Sequence, residues 1–210
     1  MPFEAFVLSS HLLPATCDTK VRVLKRAFSV VRRAGRVNRK LSTMHSHTES
    51  EIRRSFINCS KGASQRINIP QDLFSIDWES QIFLSWIDPK SPRTGYVVAE
   101  TENGLRGLVL EKNPHKGKGG ARMCQICLTL HPGSGVSLVS IQRSKSAKDR
   151  YNTVGTYLCS DLACSDYTRG KRKPEGIRQM EETMSLDDRV DRTLTNIRGL
   201  IQRVGDGMGK

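Results

Sequence analysis

The sequence predicts an α+β chain, with a short N-terminal helix, an antiparallel β-meander, a cysteine-bearing hairpin unit and a closing amphipathic helix. Three observations carry that expectation. Thr48 stands three residues ahead of Glu51 at the start of a helix-periodic stretch. Short apolar runs separated by proline and by Asn103-Gly104 follow it. Two cysteine pairs, Cys124 with Cys127 and Cys159 with Cys164, then bracket two further strand-like runs.

Taken in order, Thr48 and Glu51 form a capping box, in which hydroxyl and carboxylate satisfy each other's backbone amides. Ile52 and Phe56 lie one turn apart on one face, so the helix is expected over 49–60, ended by Gly62. Ile67-Asn68-Ile69-Pro70 reads as extended, because a residue before proline is pushed out of the helical region. Gln81–Trp86, Tyr96–Ala99 and Leu105–Leu110 are three apolar runs. Pro89 and Pro92 separate the first two, and Glu102-Asn103-Gly104 supplies a hairpin turn between the last two. Trp78 and Trp86 are expected to pack under this meander. Asn113–Gly120 reads as a flexible basic link. Near the end, Ser185 with Asp188 makes a second capping signal. Leu186, Val190, Leu194, Ile197, Ile201 and Val204 then keep helical spacing up to Gly205, for about five turns.

The chain has 210 residues, and its 37% apolar content approaches the globular norm once the 17 glycines are counted with it. That is enough for one domain with an appendage. No apolar run reaches the ~18 residues of a membrane-spanning helix, so integral membrane proteins are excluded. The net charge of +13 favours an acidic or polyanionic partner. Much of it is local, because residues 1–43 hold nine basic and two acidic side chains. Val21, Leu24, Phe28 and Val31 allow a basic amphipathic helix there, but the segment does not read as a secretory signal. Composition changes at Met44. The expectation is that residues 1–43 are a disordered extension, or that Met44 is the natural start, and that 44–210 form the domain. Within it, 44–120 would be helix plus meander, 121–170 the cysteine unit and 171–205 the C-terminal helical segment.

The cysteines carry the chemistry. A C-x2-C pair and a C-x4-C pair, with 31 residues between them, offer four soft ligands. Zinc takes such ligands tetrahedrally, and a two-residue spacer lets both thiolates of a knuckle turn onto one ion. Val136–Gln142 and Thr153–Leu158 supply a hairpin between the pairs. Cys159 then ends the second strand, and Ser160 or Asp161 can cap a helix that begins near Cys164. Knuckle, hairpin and helix with ligands at the first and last elements describe a treble-clef zinc finger. Disulfides are disfavoured in a chain that reads as cytoplasmic. Four thiolates close the coordination sphere, so one Zn2+ would be structural. His131 sits in a turn, His131-Pro132-Gly133-Ser134-Gly135, and is not assigned to the metal; nor are His45, His47, Cys17 and Cys59. There is no phosphate-binding glycine loop, dinucleotide fingerprint, paired-histidine protease helix or nucleophile elbow. No catalytic residue is therefore assigned, and no small-molecule substrate is expected.

Met123-Cys124-Gln125-Ile126-Cys127, Gly135-Val136-Ser137-Leu138 and Gly155-Thr156-Tyr157-Leu158-Cys159-Ser160-Asp161-Leu162-Ala163-Cys164 resemble the C-terminal treble-clef domain of the elongation factor G-binding proteins of the fusidic-acid-resistance type. The likeness runs from Thr48 to Val204. It implies a cytoplasmic, ribosome-associated module that binds elongation factor G and promotes its release from the ribosome. By position it also implies partner contacts at Met123, Lys145, Lys148, Arg150 and Tyr151. Those proteins carry a helical bundle at the N-terminus, where this chain offers one short helix. The competing reading is a zinc finger that binds RNA or DNA through the basic hairpin tip and the run Arg169-Gly170-Lys171-Arg172-Lys173, with tyrosines for stacking.

Overall fold

The computed structural model describes residues 44–113, 120–143 and 152–206. The basic extension 1–43, most of the link 113–120 and the hairpin tip with Lys145, Lys148, Arg150 and Tyr151 lie outside the described residues.

The described residues open on a strap in which the Met44 amide donates to Gln81 O and the His45 amide to a Glu100 carboxylate oxygen. The imidazoles of His45 and His47 close on the same carboxylate at 3.0 Å. Helix α1 covers Glu49–Ser55, with both halves of the Thr48–Glu51 capping box formed. It stops one turn earlier than its periodicity suggests. Phe56 turns extended and pairs with Gly107 of the sheet, and the Asn58 amide makes two hydrogen bonds with Val109, so the segment is taken over by the sheet. Ser60 then caps a separate helix, α2 (Lys61–Gln65), inside which Gly62 sits instead of ending α1.

Strands β1 (Leu84–Asp88), β2 (Ser91–Thr101) and β3 (Gly104–Lys112) form the expected meander. The first is shorter at its start than the apolar run. Ile82 and Phe83 are buried, but the Ser165 hydroxyl of a later helix takes the Ile82 amide and the Phe83 carbonyl, so neither enters the ladder. Pro92 lies within β2, where the register shifts between Ile87 and Asp88. The β2–β3 turn places Gly104 at φ +84°, the left-handed value that Asn-Gly chemistry anticipates. After the two-residue strands β4 (Arg122–Met123) and β5 (Leu130–His131), β6 (Val136–Gln142) and β7 (Thr153–Cys159) make the second hairpin. Glu111 and Lys112 pair with Ser140 and Val139, so meander and hairpin join in one five-stranded sheet of order β1-β2-β3-β6-β7.

Both faces of the meander part of this sheet are covered. On one, Phe56 meets Trp86 and Tyr96 edge-on at 6.3 and 5.8 Å. On the other, Ser85 donates to Leu162 O from the turn that follows β7. Helix α3 (Cys164–Arg169) and helix α4 (Leu186–Gly205) complete the fold. Ser185 caps α4 as expected, and Val190, Thr193, Leu194, Ile197, Leu200, Ile201 and Val204 are its buried stripe against α3, β2, β3 and β7. Asn196 of this helix donates to Ile126 O, so α4 braces the cysteine unit directly.

One polar knot lies inside the first layer. Asp88, only 6% exposed, accepts from the Tyr96 hydroxyl at 2.7 Å and from the Asn68 amide at 3.0 Å. Burial acts to raise this carboxyl, but hydrogen bonds from Tyr96, Asn68, Lys90 and Ser91 outweigh it and hold it below its ordinary 3.8. A carboxylate with a depressed folded value stabilises above its unfolded value and loses that contribution as the pH falls. Tyr96→Phe is therefore expected to cost ~1.5–3 kcal/mol at neutral pH, the range for a hydrogen bond to a charged group. The gap between variant and wild type should narrow below about pH 3.8. Denaturant midpoints of the two proteins at matched pH check both statements.

Candidate metal centre

Two elements at opposite ends of the cysteine unit meet at one point. Strands β4 and β5 pair through Arg122 with His131 and Met123 with Leu130, which folds the intervening loop into a knuckle. Within it the Cys124 amide donates to Thr129 O and the Leu128 amide to Cys124 O, with Leu128 held at φ +59°. Gln125 fastens the knuckle to the sheet. Its amide donates to Tyr157 O at 2.8 Å, and its side-chain oxygen accepts from the Thr156 hydroxyl and the Tyr157 amide. From the other side, Cys159 is the last residue of β7 and Cys164 the first of α3. The turn between them places Leu162 at φ +58°, with its amide on Cys159 O.

The four sulfurs converge. All lie within 4.8 Å of one another, and all four residues are buried. Cys124 Sγ is 3.7 Å from Cys164 Sγ, and Cys127 Sγ is 3.5 Å from Cys159 Sγ. Four sulfurs at ~2.3 Å from a tetrahedral Zn2+ stand ~3.8 Å apart, so the spacing fits the ion, and it is far too long for a disulfide. Electrostatics agrees. Contact with Cys124 and Cys127, followed by burial, pushes the Cys159 thiol up, and Cys164 is raised in the same way. Cys127 moves down because Cys124, Cys159 and Cys164 surround its sulfur. Four packed thiols cannot ionise together unaided, and a divalent cation removes their repulsion. With all four ligands supplied by the chain, the site holds its metal for structure.

His131, read from the sequence as a turn residue, ends instead in β5 with 3% exposure and its Nε2 3.4 Å from Cys159 Sγ. A second feature that sequence reasoning passed over is an apolar surface beside the knuckle. Leu138 of β6 and Tyr157 of β7 are cross-strand partners, each 38% exposed, on the face opposite to buried Val139 and Leu158. Met123 and Leu128 of the knuckle are exposed to a similar degree. In the basic run 169–173, Lys171 and Lys173 are exposed, and the two arginines are engaged to different degrees. Arg169 is half-buried, with burial lowering its pKa against the charges of Asp77 and Asp187, and Arg172 pairs with Asp161 at 3.0 Å.

Residues 51–204 match the family model described as the FBP C-terminal treble-clef zinc-finger. No curated protein matches the chain. Among solved structures, the chain is similar to one described as the fusidic acid resistance protein FusC, at 21% identity and a TM-score of 0.44. That alignment covers 59% of this chain and 53% of the other, so this chain spans about half of its length.

Proposed function

The chain belongs to the FBP C-terminal treble-clef zinc-finger family, and on that premise we propose that it is a binding module whose partner is elongation factor G. The module acts without chemistry of its own. Its zinc fixes the knuckle against β7, and the outer face of the β6–β7 hairpin carries the contact. Release of the factor from the ribosome, in the cytoplasm, is the role that the family resemblance attaches to such binding.

The observation that favours a protein partner is the exposed Leu138–Tyr157 pair, clamped to the metal knuckle through Gln125. Apolar side chains held out from a rigid sheet are suited to a desolvated protein interface, where aromatic anchors dominate the affinity. Met123 lies in the same unit and belongs to the proposed surface. Lys145, Lys148, Arg150 and Tyr151 are retained as contacts of the hairpin tip, where positive charge would speed encounter with an acidic patch. The nucleic-acid reading uses the hairpin tip and the run 169–173; in that run Arg169 is half-buried and Arg172 is engaged by Asp161, while Lys171 and Lys173 are exposed. Among the described residues no helix is long and apolar enough to cross a membrane.

Calorimetric titration of the zinc-loaded full chain with elongation factor G from the same organism, at two salt concentrations, tests the proposal. One-to-one binding that survives moderate salt is expected. Silence at high micromolar factor, together with RNA binding that falls steeply with salt, would transfer the function to nucleic acid.

A further inference from the structure

A zinc ion with four thiolates leaves two net negative charges in a nearly dry site. Cys124, Cys127, Cys159 and Cys164 are between 0% and 4% exposed. Buried charge of that kind must be met by hydrogen-bond donors, and the groups around the ligands supply them as well as orienting the ligands. The Ile126 amide serves Cys124 Sγ at 3.4 Å. From β5 the His131 imidazole lies within reach of Cys159 Sγ, with Nε2 at 3.4 Å.

The ring is held in that place from several sides. Tyr167 meets it edge-on, with centroids 4.7 Å apart and planes at 89°. Tyr167 is itself fixed by its hydroxyl, which donates to Asp161 Oδ2, the oxygen that also receives Arg172. From the other side the turn after β5 folds back so closely that a Cβ at Gly135 would stand 2.7 Å from His131 Cβ and 3.0 Å from Nδ1. Only glycine allows that approach. The turn is tied down by the Gly135 amide on Pro132 O and by the Ser160 amide on Gly135 O. Ser160 follows Cys159 directly, so donor and acceptor are built into one rigid piece.

We infer that His131 is an outer-shell residue of the zinc site, whose Nε2–H donates to the Cys159 thiolate without ligating the metal. Its role is positioning. It takes up part of the charge on that sulfur, fixes the rotamer of Cys159 and slows metal loss. Removing such a partner lowers metal affinity by ~10–100-fold in comparable sites.

The test compares wild type, His131→Phe and His131→Gln, since a glutamine amide reaches the place of Nε2 with an N–H. Chelator competition should show the phenylalanine variant losing ~10-fold or more in zinc affinity, with glutamine restoring part of it. In the cobalt-substituted proteins, the sulfur-to-metal charge-transfer band should move to lower energy in His131→Phe, while the d–d bands keep the four-sulfur pattern. A merely structural residue would not move that band. Wild-type affinity with an unshifted band in His131→Phe would overturn the inference, and so would a three-sulfur, one-nitrogen spectrum in the wild type. If the variants fail to fold, the cadmium-113 wild-type protein decides. Scalar coupling between the metal and the His131 Nε2 proton is expected, and an unprotonated Nε2 refutes the donor role. None of these readouts depends on elongation factor G.

Discussion

Cys159→Ser is expected to yield a chain that holds no zinc and does not keep the knuckle, the β6–β7 hairpin and α3 folded. The sulfur it removes lies 3.5 Å from Cys127 Sγ in a site where Cys159 is 1% exposed, so water cannot take its place without opening the core. A serine hydroxyl does not ionise near neutral pH, and the three remaining thiols would be left crowded in apolar surroundings. Structural zinc contributes ~10–16 kcal/mol in small modules, against the ~5–15 kcal/mol by which whole domains are stable. Loss should not remain local. Strand β6 pairs with β3, and α4 packs against α3, β2, β3 and β7, so the hairpin is shared between the finger and the meander. Zinc content per chain, together with thermal melting followed by circular dichroism, measures the outcome, and prolonged chelation of the wild type should reproduce it. A zinc-free serine variant that melts like the wild type would sink the structural-zinc assignment.

What the sequence made legible was encoded within a few residues. The Thr48–Glu51 box, the Asn103-Gly104 turn, the Ser185 cap with its apolar stripe from Val190 onward and the two cysteine spacings each specify geometry locally, and each appears where its pattern places it, although Leu186 at the head of the predicted stripe stays exposed. What it hid depends on contacts between distant segments. Helix α1 ends at Ser55 because Phe56 finds Gly107, a residue far along the chain. Ile82 and Phe83 leave the β1 ladder because Ser165 takes their backbone groups. His131 reads locally as part of a proline-glycine turn, and its place beside Cys159 arises only when β5 pairs with β4 and β7 closes the metal site. The outward face of the hairpin was hidden for the same reason. Alternation marks Leu138 and Tyr157 as sharing parity within their strands, but only the register Leu138↔Tyr157 sets them side by side.

That register leads to the second large effect. If the outer face of β6–β7 is the contact surface, Tyr157→Ala and Leu138→Ala should each weaken binding of elongation factor G by ~30-fold, the consequence of losing ~2 kcal/mol at an interface anchor. Because the two side chains are cross-strand neighbours, their losses should not add fully, and the double variant should fall short of the product of the single effects. Stability should change little, because both positions point to solvent while Val139 and Leu158 keep the buried face. The effect should appear mainly as faster dissociation. It should depend weakly on salt, unlike any loss caused by removing the basic side chains of the tip. Surface-immobilised factor and zinc-loaded variants give both rates directly. A folded, zinc-loaded double variant that binds as tightly as the wild type would remove this face from the interface, leaving the hairpin tip and the knuckle to carry the contact.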